Sequence, residues 1–160
     1  MNKLDEQMKR VKLSLHGNGE FTYEIFPFQL AENTIQEVIL APTPISSLDP
    51  FLRYKTSERS LYNKYRKLLK PNQEIILHNE FGEITEGSIS NIILDIDGNL
   101  CTPTVDSGLL AGTYRQWMID QGKLIERKLY LNDLYSAAKI YLCNGLRGMW
   151  EVSLKEEQRK

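Results

Sequence analysis

The sequence has little cysteine, no long apolar run and no excess of one charge sign. Its 160 residues include two cysteines, Cys101 and Cys143, too few for a disulfide framework. Neither cysteine has a second cysteine or a histidine at metal-ligand spacing, because His16 and His78 lie far from both. We therefore expect two buried free thiols and no metal site. No apolar segment approaches the roughly 18 residues that a membrane span needs.

Charge also narrows the choice of partner. The chain has 20 basic and 21 acidic side chains, a formal net charge of -1, so it lacks the field that attracts nucleic acid or anionic lipid. Residues 1–10 are polar and lack the apolar stretch of a signal peptide, which favours the cytoplasm. A composition that is 41% hydrophobic and 26% charged is typical of a globular domain. Because the charges nearly cancel, we expect partners to be recognised in a pocket and not by a charged surface.

The first part of the chain predicts a small layer upstream of a larger domain. Residues 11–15 and 21–26 alternate in polarity around Gly17-Asn18-Gly19, which predicts a β-hairpin, and residues 35–40 predict another strand. Pro42, Pro44 and Pro50 then punctuate a loop. We expect a small upstream domain over 1–45, a main domain over 46–154 and a frayed tail over 155–160.

Helical and strand patterns alternate in the main domain, which predicts a mixed α+β fold. Helices are expected at 57–69, 112–121 and 131–137, the first starting at Ser57 or Glu58 and the last capped by Asn132 or a neighbour. Strands are expected at 75–77, 91–96, 124–129, 138–143 and 149–152.

The most informative segment is residues 82–92, GEITEGSISNI, where a turn, an acid and small hydroxyl side chains lead into an apolar strand. Gly82 permits a turn at a hairpin tip, and Gly87 permits close approach of the backbone. Glu86 is the acid between the two glycines, facing whatever Ser88, Ser90 and Asn91 line. Taken alone, such a segment also fits an ordinary solvated hairpin.

Three further segments occur with this one: KTSER at 55–59, LLAGTYR at 109–115 and CNGLRG at 143–148. In this order the four segments resemble the class IV aminotransferases, the fold-type IV pyridoxal-phosphate enzymes. The K-T-x-x-R and N-x-L-R-G patterns look most like the aminodeoxychorismate lyases of that family, including the form fused to aminodeoxychorismate synthase. The resemblance implies a pseudo-barrel main domain that holds pyridoxal 5'-phosphate at its mouth and faces a smaller α+β domain.

By the same resemblance, Lys55 is the lysine that binds the cofactor aldehyde and later moves protons. Glu86 supplies the negative charge that keeps the pyridine nitrogen protonated. The turn at Gly112, Thr113 and Tyr114 opens a helix whose free N–H groups suit the cofactor phosphate. Ser88, Ser90 and Asn91 line one side of the ring, and Leu110 packs on its face.

The substrate contacts are less specified. The resemblance also implies that Asn144 and Gly145 contact the cofactor. Asn-Gly stands where the lyases more often have Asn-Ser, which places a hydroxyl hydrogen bond to the phosphate or the substrate in question, although a backbone N–H could replace it. The candidates to bind a substrate carboxylate are Arg59, Arg115 and Arg147. As single residues, all three are also compatible with ordinary surface positions.

The resemblance favours a lyase that converts 4-amino-4-deoxychorismate to 4-aminobenzoate and pyruvate, in folate synthesis. The second hypothesis is a transaminase for D-amino or branched-chain amino acids, which shares every cofactor residue. The third hypothesis is a catalytically silent interaction domain. Complete family members have more residues ahead of the hairpin, so we expect a further N-terminal segment, in cis or in trans. We also expect a homodimer that covers apolar residues such as Met149 and Trp150. Without the upstream segment, we expect weak cofactor binding and little turnover.

Overall fold

The computed structural model describes residues 8–28 and 34–155, which belong to two compact units, residues 1–32 and 33–160. In the first unit, β1 (Lys9–Leu15) pairs antiparallel with β2 (Phe21–Pro27), as the alternation predicts. The chain turns through Gly19, whose φ of 86° is open to glycine at no steric cost. The apolar side chains lie on one face of this hairpin and are exposed: Val11, Leu13, Leu15, Phe21, Tyr23 and Ile25.

The second unit is built on a seven-stranded mixed sheet in the order β4-β3-β9-β8-β5-β6-β7. Its strands are β3 (Glu37–Leu40), β4 (Gln73–Ile76), β5 (Asn91–Ile96), β6 (Asn99–Thr102), β7 (Ile125–Glu126), β8 (Lys139–Asn144) and β9 (Gly148–Leu154). The central strands β9, β8, β5 and β6 pair antiparallel, whereas β3 pairs parallel with both β4 and β9. The mixed α+β class is therefore confirmed.

Three helices accompany the sheet in the described residues: α1 (Ser60–Arg66), α2 (Thr113–Asp120) and α3 (Leu131–Ser136). Single 3-10 turns lie at Pro50–Leu52 and Val105–Ser107. None of the helices in the described ranges is long and apolar enough to cross a membrane.

Several boundaries differ from the sequence expectation for local reasons. α1 begins at Ser60, because the Glu58 carboxylate accepts the Ser60 N–H and holds the preceding residues in a turn. α3 is stabilised at its start by Asp133, which accepts the Tyr130 N–H at 2.7 Å, so Asn132 is not the cap. The strand expected over 124–129 shortens to Ile125–Glu126.

The position of β3 corrects the predicted domain boundary. We expected this strand in the upstream layer, but its ladders to β4 and β9 make it part of the main sheet. The compact units separate at residue 32, before the proline-rich loop. Most of the tail expected to fray, residues 156–160, lies outside the described residues.

The core packs against both faces of this sheet. One cluster includes Ile84, Ile92, Leu142 and Trp150, and a second includes Leu52, Tyr62, Tyr65 and Ile75. Trp150 is 9% exposed, so the expectation that it forms an exposed contact surface is wrong. Both cysteines are buried free thiols, as predicted, and burial raises the pKa of Cys143 to about 12.

Candidate active site

The four sequence segments meet in the folded chain, although they span residues 55 to 148. Arg59 of the first segment donates a hydrogen bond to the Ser88 carbonyl of the second. Asn91 of the second segment donates to the Leu110 carbonyl of the third at 2.8 Å. Asn144 of the fourth donates to the Ile89 carbonyl at 3.3 Å. These contacts make one continuous cluster, which we call the motif cluster.

Glu86 lies at the centre of the motif cluster. It follows β4 on the returning arm of a tight hairpin, where its carbonyl accepts the Leu77 N–H at 2.9 Å. Gly82 turns this hairpin with a φ of 73°, as its position in the sequence predicts. The Glu86 residue is 5% exposed, and its Oε1 accepts the Tyr62 hydroxyl at 2.6 Å. The Leu110 backbone N–H also donates to the carboxylate.

Burial raises the pKa of Glu86 to about 7, against an ordinary value of 4.5. The Tyr62 and Leu110 hydrogen bonds and the charges of Arg59 and Lys55 favour the carboxylate, but together they do not offset desolvation. Lys55 itself is exposed. The site thus combines a buried acid, which forms no ion pair among the described residues, with a nearby accessible amine.

The turn after Glu86 is held from both sides. The Ser88 N–H donates to Glu74 Oε1 at 3.0 Å, and the Ser88 carbonyl accepts from Arg59. A Cβ on Gly87 would lie 2.7 Å from Ser90 Oγ and 3.1 Å from the Ile75 carbonyl oxygen, so close approach requires the glycine. Ser90 Oγ is buried without a hydrogen-bond partner among the described residues.

Asn91 links the start of β5 to the loop ahead of α2. Its Oδ1 accepts the Gly112 N–H at 3.2 Å, and its Nδ2 donates to Leu110. A Cβ on Gly112 would lie 2.1 Å from Asn91 Oδ1, so this position requires glycine. Asn91 therefore positions the loop and occupies the Gly112 N–H, whereas the N–H groups of the first helical turn, those of Thr113 and Tyr114 among them, precede the first intrahelical hydrogen bond.

The fourth segment forms the turn between β8 and β9 and lies against the start of α2. Asn144 Oδ1 accepts the N–H groups of Leu146 and Arg147 at 3.0 and 2.9 Å, which fixes the turn. A Cβ on Gly145 would lie 2.8 Å from Thr113 Oγ1. The Thr113 hydroxyl thus lies beside the position where the lyases more often have a serine.

Comparison with known proteins identifies the family. The sequence model of "Amino-transferase class IV" matches residues 4–154. This chain belongs to the class IV aminotransferase family. Its curated relatives include a "Putative aminodeoxychorismate lyase" of Schizosaccharomyces pombe, 29% identical over 89% of this chain and 65% of that protein. A "Probable branched-chain-amino-acid aminotransferase" of Thermotoga maritima is 33% identical over 92% of this chain and 57% of that protein.

A solved structure extends the likeness to three dimensions. The "Putative amino-acid aminotransferase" of Mesorhizobium loti superposes with a TM-score of 0.84 and 38% identity, covering 92% of this chain and 73% of that chain. Across the two curated relatives, this chain spans 57% to 65% of their length. The activity of a whole family member is therefore not shown by these 160 residues.

The three candidate arginines of this family member have separate environments. Arg59 is partly buried within the motif cluster. Arg115 is fully buried, forms an ion pair with Glu126 at 3.0 Å and donates to the Pro103 carbonyl at 2.7 Å. Arg115 therefore presents no accessible N–H group for a substrate, in contrast to the expectation. Arg147 is exposed at the turn between β8 and β9.

A cavity of about 470 Å³ lies elsewhere, between α3 and the paired strands β8 and β9. None of the predicted site residues lines it. We locate the candidate active site at the motif cluster, because that is where the acid, the amine and the helix start meet.

Two residues outside the four segments contact the motif cluster and were not identified from the sequence. Tyr62 bonds to Glu86, and Glu74 bonds to the turn that follows it. Tyr62 lies three residues after Arg59. This spacing places the two side chains on the same face of a helix, and it is the sequence signal that could have identified Tyr62.

Proposed function

We propose that this chain is the cofactor-binding part of a pyridoxal-phosphate lyase that converts 4-amino-4-deoxychorismate to 4-aminobenzoate and pyruvate. Enzymes of its family use pyridoxal phosphate. The observation that carries the cofactor proposal is Glu86, a buried carboxylate without an ion pair among the described residues, near the accessible amine of Lys55. A protonated ring nitrogen is the charge partner that such an acid lacks.

The residues present fit this cofactor at three points. Glu86 would hold the ring nitrogen, Lys55 would hold the aldehyde carbon, and the N–H groups of Thr113 and Tyr114 with the Thr113 hydroxyl would hold the phosphate. The bound cofactor would supply an electron sink for a carbanion beside the substrate amine. Leu110, which is half-buried between Glu86 and the helix start, would cover one face of the ring.

In the lyase reaction, the free amine of Lys55 would remove the proton from the ring carbon that bears the substrate amine. Breaking the bond between the neighbouring ring carbon and the enolpyruvyl oxygen would then complete the aromatic ring of 4-aminobenzoate, and the proton returned by Lys55 would convert the departing enolate to pyruvate. Arg147, the exposed one of the three candidates, is assigned to a substrate carboxylate. The S. pombe relative supports the lyase, as does an "Aminodeoxychorismate lyase" of Saccharomyces cerevisiae, 26% identical over 79% of this chain.

A class IV transaminase is the second candidate, favoured by the higher identities to the T. maritima and M. loti proteins, 33% and 38%. Both reactions use the same cofactor residues. They differ in the acceptor, because a transaminase requires a 2-oxo acid and the lyase requires none. For either reaction, we also propose that the protein acts in the cytoplasm as a homodimer. An upstream segment would complete its substrate pocket.

The proposal is tested first by labelling. Pyridoxal phosphate is added to the purified chain, the adduct is reduced with borohydride, and peptides are analysed by mass spectrometry. We expect the pyridoxyl group on Lys55, and a Lys55→Ala variant should lose the label. Lys64, which lies over the Tyr65 ring on α1, provides the control Lys64→Ala, which should keep it. A label confined to other lysines would contradict the assignment.

The reaction is then assigned by its products, measured on the chain alone and on the chain with its upstream segment. Formation of 4-aminobenzoate and pyruvate without a 2-oxo acid supports the lyase. Amine transfer that depends on an added 2-oxo acid supports the transaminase. Labelling of Lys55 without either reaction in the longer protein would favour the silent domain.

A further inference from the structure

The contacts of Glu86 point to a further functional residue on α1. Tyr62 is 7% exposed, and its hydroxyl donates to Glu86 Oε1 at 2.6 Å. A bond of this length to a carboxylate is charge-assisted and stronger than a bond between neutral groups. It reaches the acid across 24 residues of chain, so the tertiary fold, rather than the local hairpin, fixes this carboxylate.

Arg59 holds Tyr62 in this position. Its guanidinium lies over the Tyr62 ring, 4.5 Å from the ring centroid, and it also donates to the Ser88 carbonyl. One side chain thus contacts both the tyrosine and the turn that carries Glu86. A cation over an aromatic face is attracted by the negative charge of the ring's π-system, so this contact favours the observed position of the ring.

We propose that Tyr62, held by Arg59, is a positioning residue that orients the Glu86 carboxylate toward the ring nitrogen and favours its ionised form. The inference rests on the proposed function, because it needs a cofactor ring at Glu86. With Tyr62 on one oxygen and the Leu110 N–H on the carboxylate, the acid has few ways to rotate. Its remaining acceptor capacity is available to a ring N–H.

The electrostatics agree with this assignment. The charged and titratable groups that face Glu86 are Lys55 and Arg59 from the segment before α1 and Tyr62 from α1. Burial and then the Glu86 charge raise the pKa of Tyr62 well above its ordinary value of 10.0. Tyr62 is therefore the neutral donor in this hydrogen bond, and the Glu86 carboxylate is the acceptor.

The chain offers a matched control on the same helix. Tyr65 is also buried, but its hydroxyl donates to the Thr43 carbonyl at 3.1 Å, away from Glu86. Tyr62→Phe and Tyr65→Phe each remove one buried hydroxyl from α1 and keep the ring. A loss of helix packing affects both variants, whereas a loss of Glu86 positioning affects the first alone.

The first measurement needs no cofactor. The Glu86 carboxyl is titrated by carbon-13 NMR in the wild-type chain and in both variants, with Glu86→Gln used to assign the signal. We expect Tyr62→Phe to raise the pKa of Glu86 by about one unit, a tenfold change in proton affinity. Tyr65→Phe should leave it unchanged. An unchanged titration in Tyr62→Phe, or an equal shift in both variants, would overturn the inference.

The second measurement uses pyridoxal phosphate itself. Tyr62→Phe should weaken its binding about tenfold by absorbance titration and shift the pH dependence of the bound spectrum, while Tyr65→Phe should do neither. A wild-type chain that takes no label on Lys55 would overturn the proposed function. A labelled wild type whose affinity and spectrum survive Tyr62→Phe would overturn the Tyr62 assignment alone.

Discussion

Glu83 and Glu86 lie on the same hairpin arm and are both buried, at 3% and 5% exposure, but the pKa values of their carboxyl groups shift in opposite directions. Burial raises the pKa of Glu83, yet its hydrogen bonds to Lys128, Asn79 and Ser107 outweigh that effect and the net pKa is lowered. Its Oε1 lies 2.5 Å from Lys128 Nζ. Glu86 has no such ion pair, and its pKa is raised to about 7.

The difference separates a structural acid from a functional one. A buried charge that the protein needs for its own stability is paired within the protein, as Glu83 is. A buried acid whose charge is not compensated is costly to the free protein, and such groups concentrate at functional sites. The comparison therefore supports a ligand cation at Glu86 and none at Glu83.

The largest expected effect is on cofactor affinity. Glu86→Gln keeps the shape of the side chain and removes the charge that we propose pairs with the ring nitrogen. We expect the dissociation constant of pyridoxal phosphate to rise about tenfold to a hundredfold, from the loss of roughly 1.5 to 3 kcal/mol. Glu83→Gln is the matched control and should leave the affinity unchanged in the same absorbance titration. Equal losses of cofactor affinity in the two variants would contradict the distinction between a functional Glu86 and a structural Glu83.

A second expected effect is on stability against pH in the cofactor-free protein. The folded-state pKa of Glu86, about 7, lies above its ordinary value of 4.5, so the folded protein binds this proton more tightly. Its contribution to stability is present at low pH and is lost as the pH rises through about 7. Glu86→Gln does not titrate, so its stability relative to the wild type should rise by roughly 3 kcal/mol as the pH increases from below the ordinary pKa to above the folded-state pKa. Urea unfolding at a series of pH values measures the gap, and a gap that does not change with pH would contradict the prediction.

The smallest expected effect is a loss of stability in a Glu83 variant, opposite in sign to the gain expected for Glu86→Gln. Because the pKa of Glu83 is lowered, its contribution to stability is present above its ordinary pKa and is lost as the pH falls through the folded-state value. At neutral pH, Glu83→Gln should destabilise the protein by about 1 kcal/mol, a modest value since Lys128 is half-exposed. The same urea series should show this loss shrinking in acid. A loss that grows in acid would mean that Lys128 does not stabilise the Glu83 charge.

The sequence predicts the local features of this protein well, because they depend on nearby residues. The glycine turns at Gly19 and Gly82 follow from backbone freedom, and β5 spans the predicted residues, Asn91–Ile96. The close contact at Gly87 was expected for the same reason. The family, too, could be identified from four short segments in a fixed order.

Contacts between distant segments could not be predicted, because no local pattern encodes them. Parallel pairing draws β3 into the main sheet, and an ion pair with Glu126 buries Arg115. Asn91 is occupied by the loop ahead of α2, where the sequence suggested a ligand contact.

Glu83 and Glu86 show which features of this protein follow from the sequence and which require the tertiary structure. The sequence by itself determined that Glu86 stands between two glycines at a hairpin, since turn geometry is local. Only the tertiary structure decided that Lys128 neutralises Glu83 while Glu86 has Tyr62 and no ion pair among the described residues. The pKa of a buried acid depends on the groups that folding brings to it, and in this chain those groups come from separate segments.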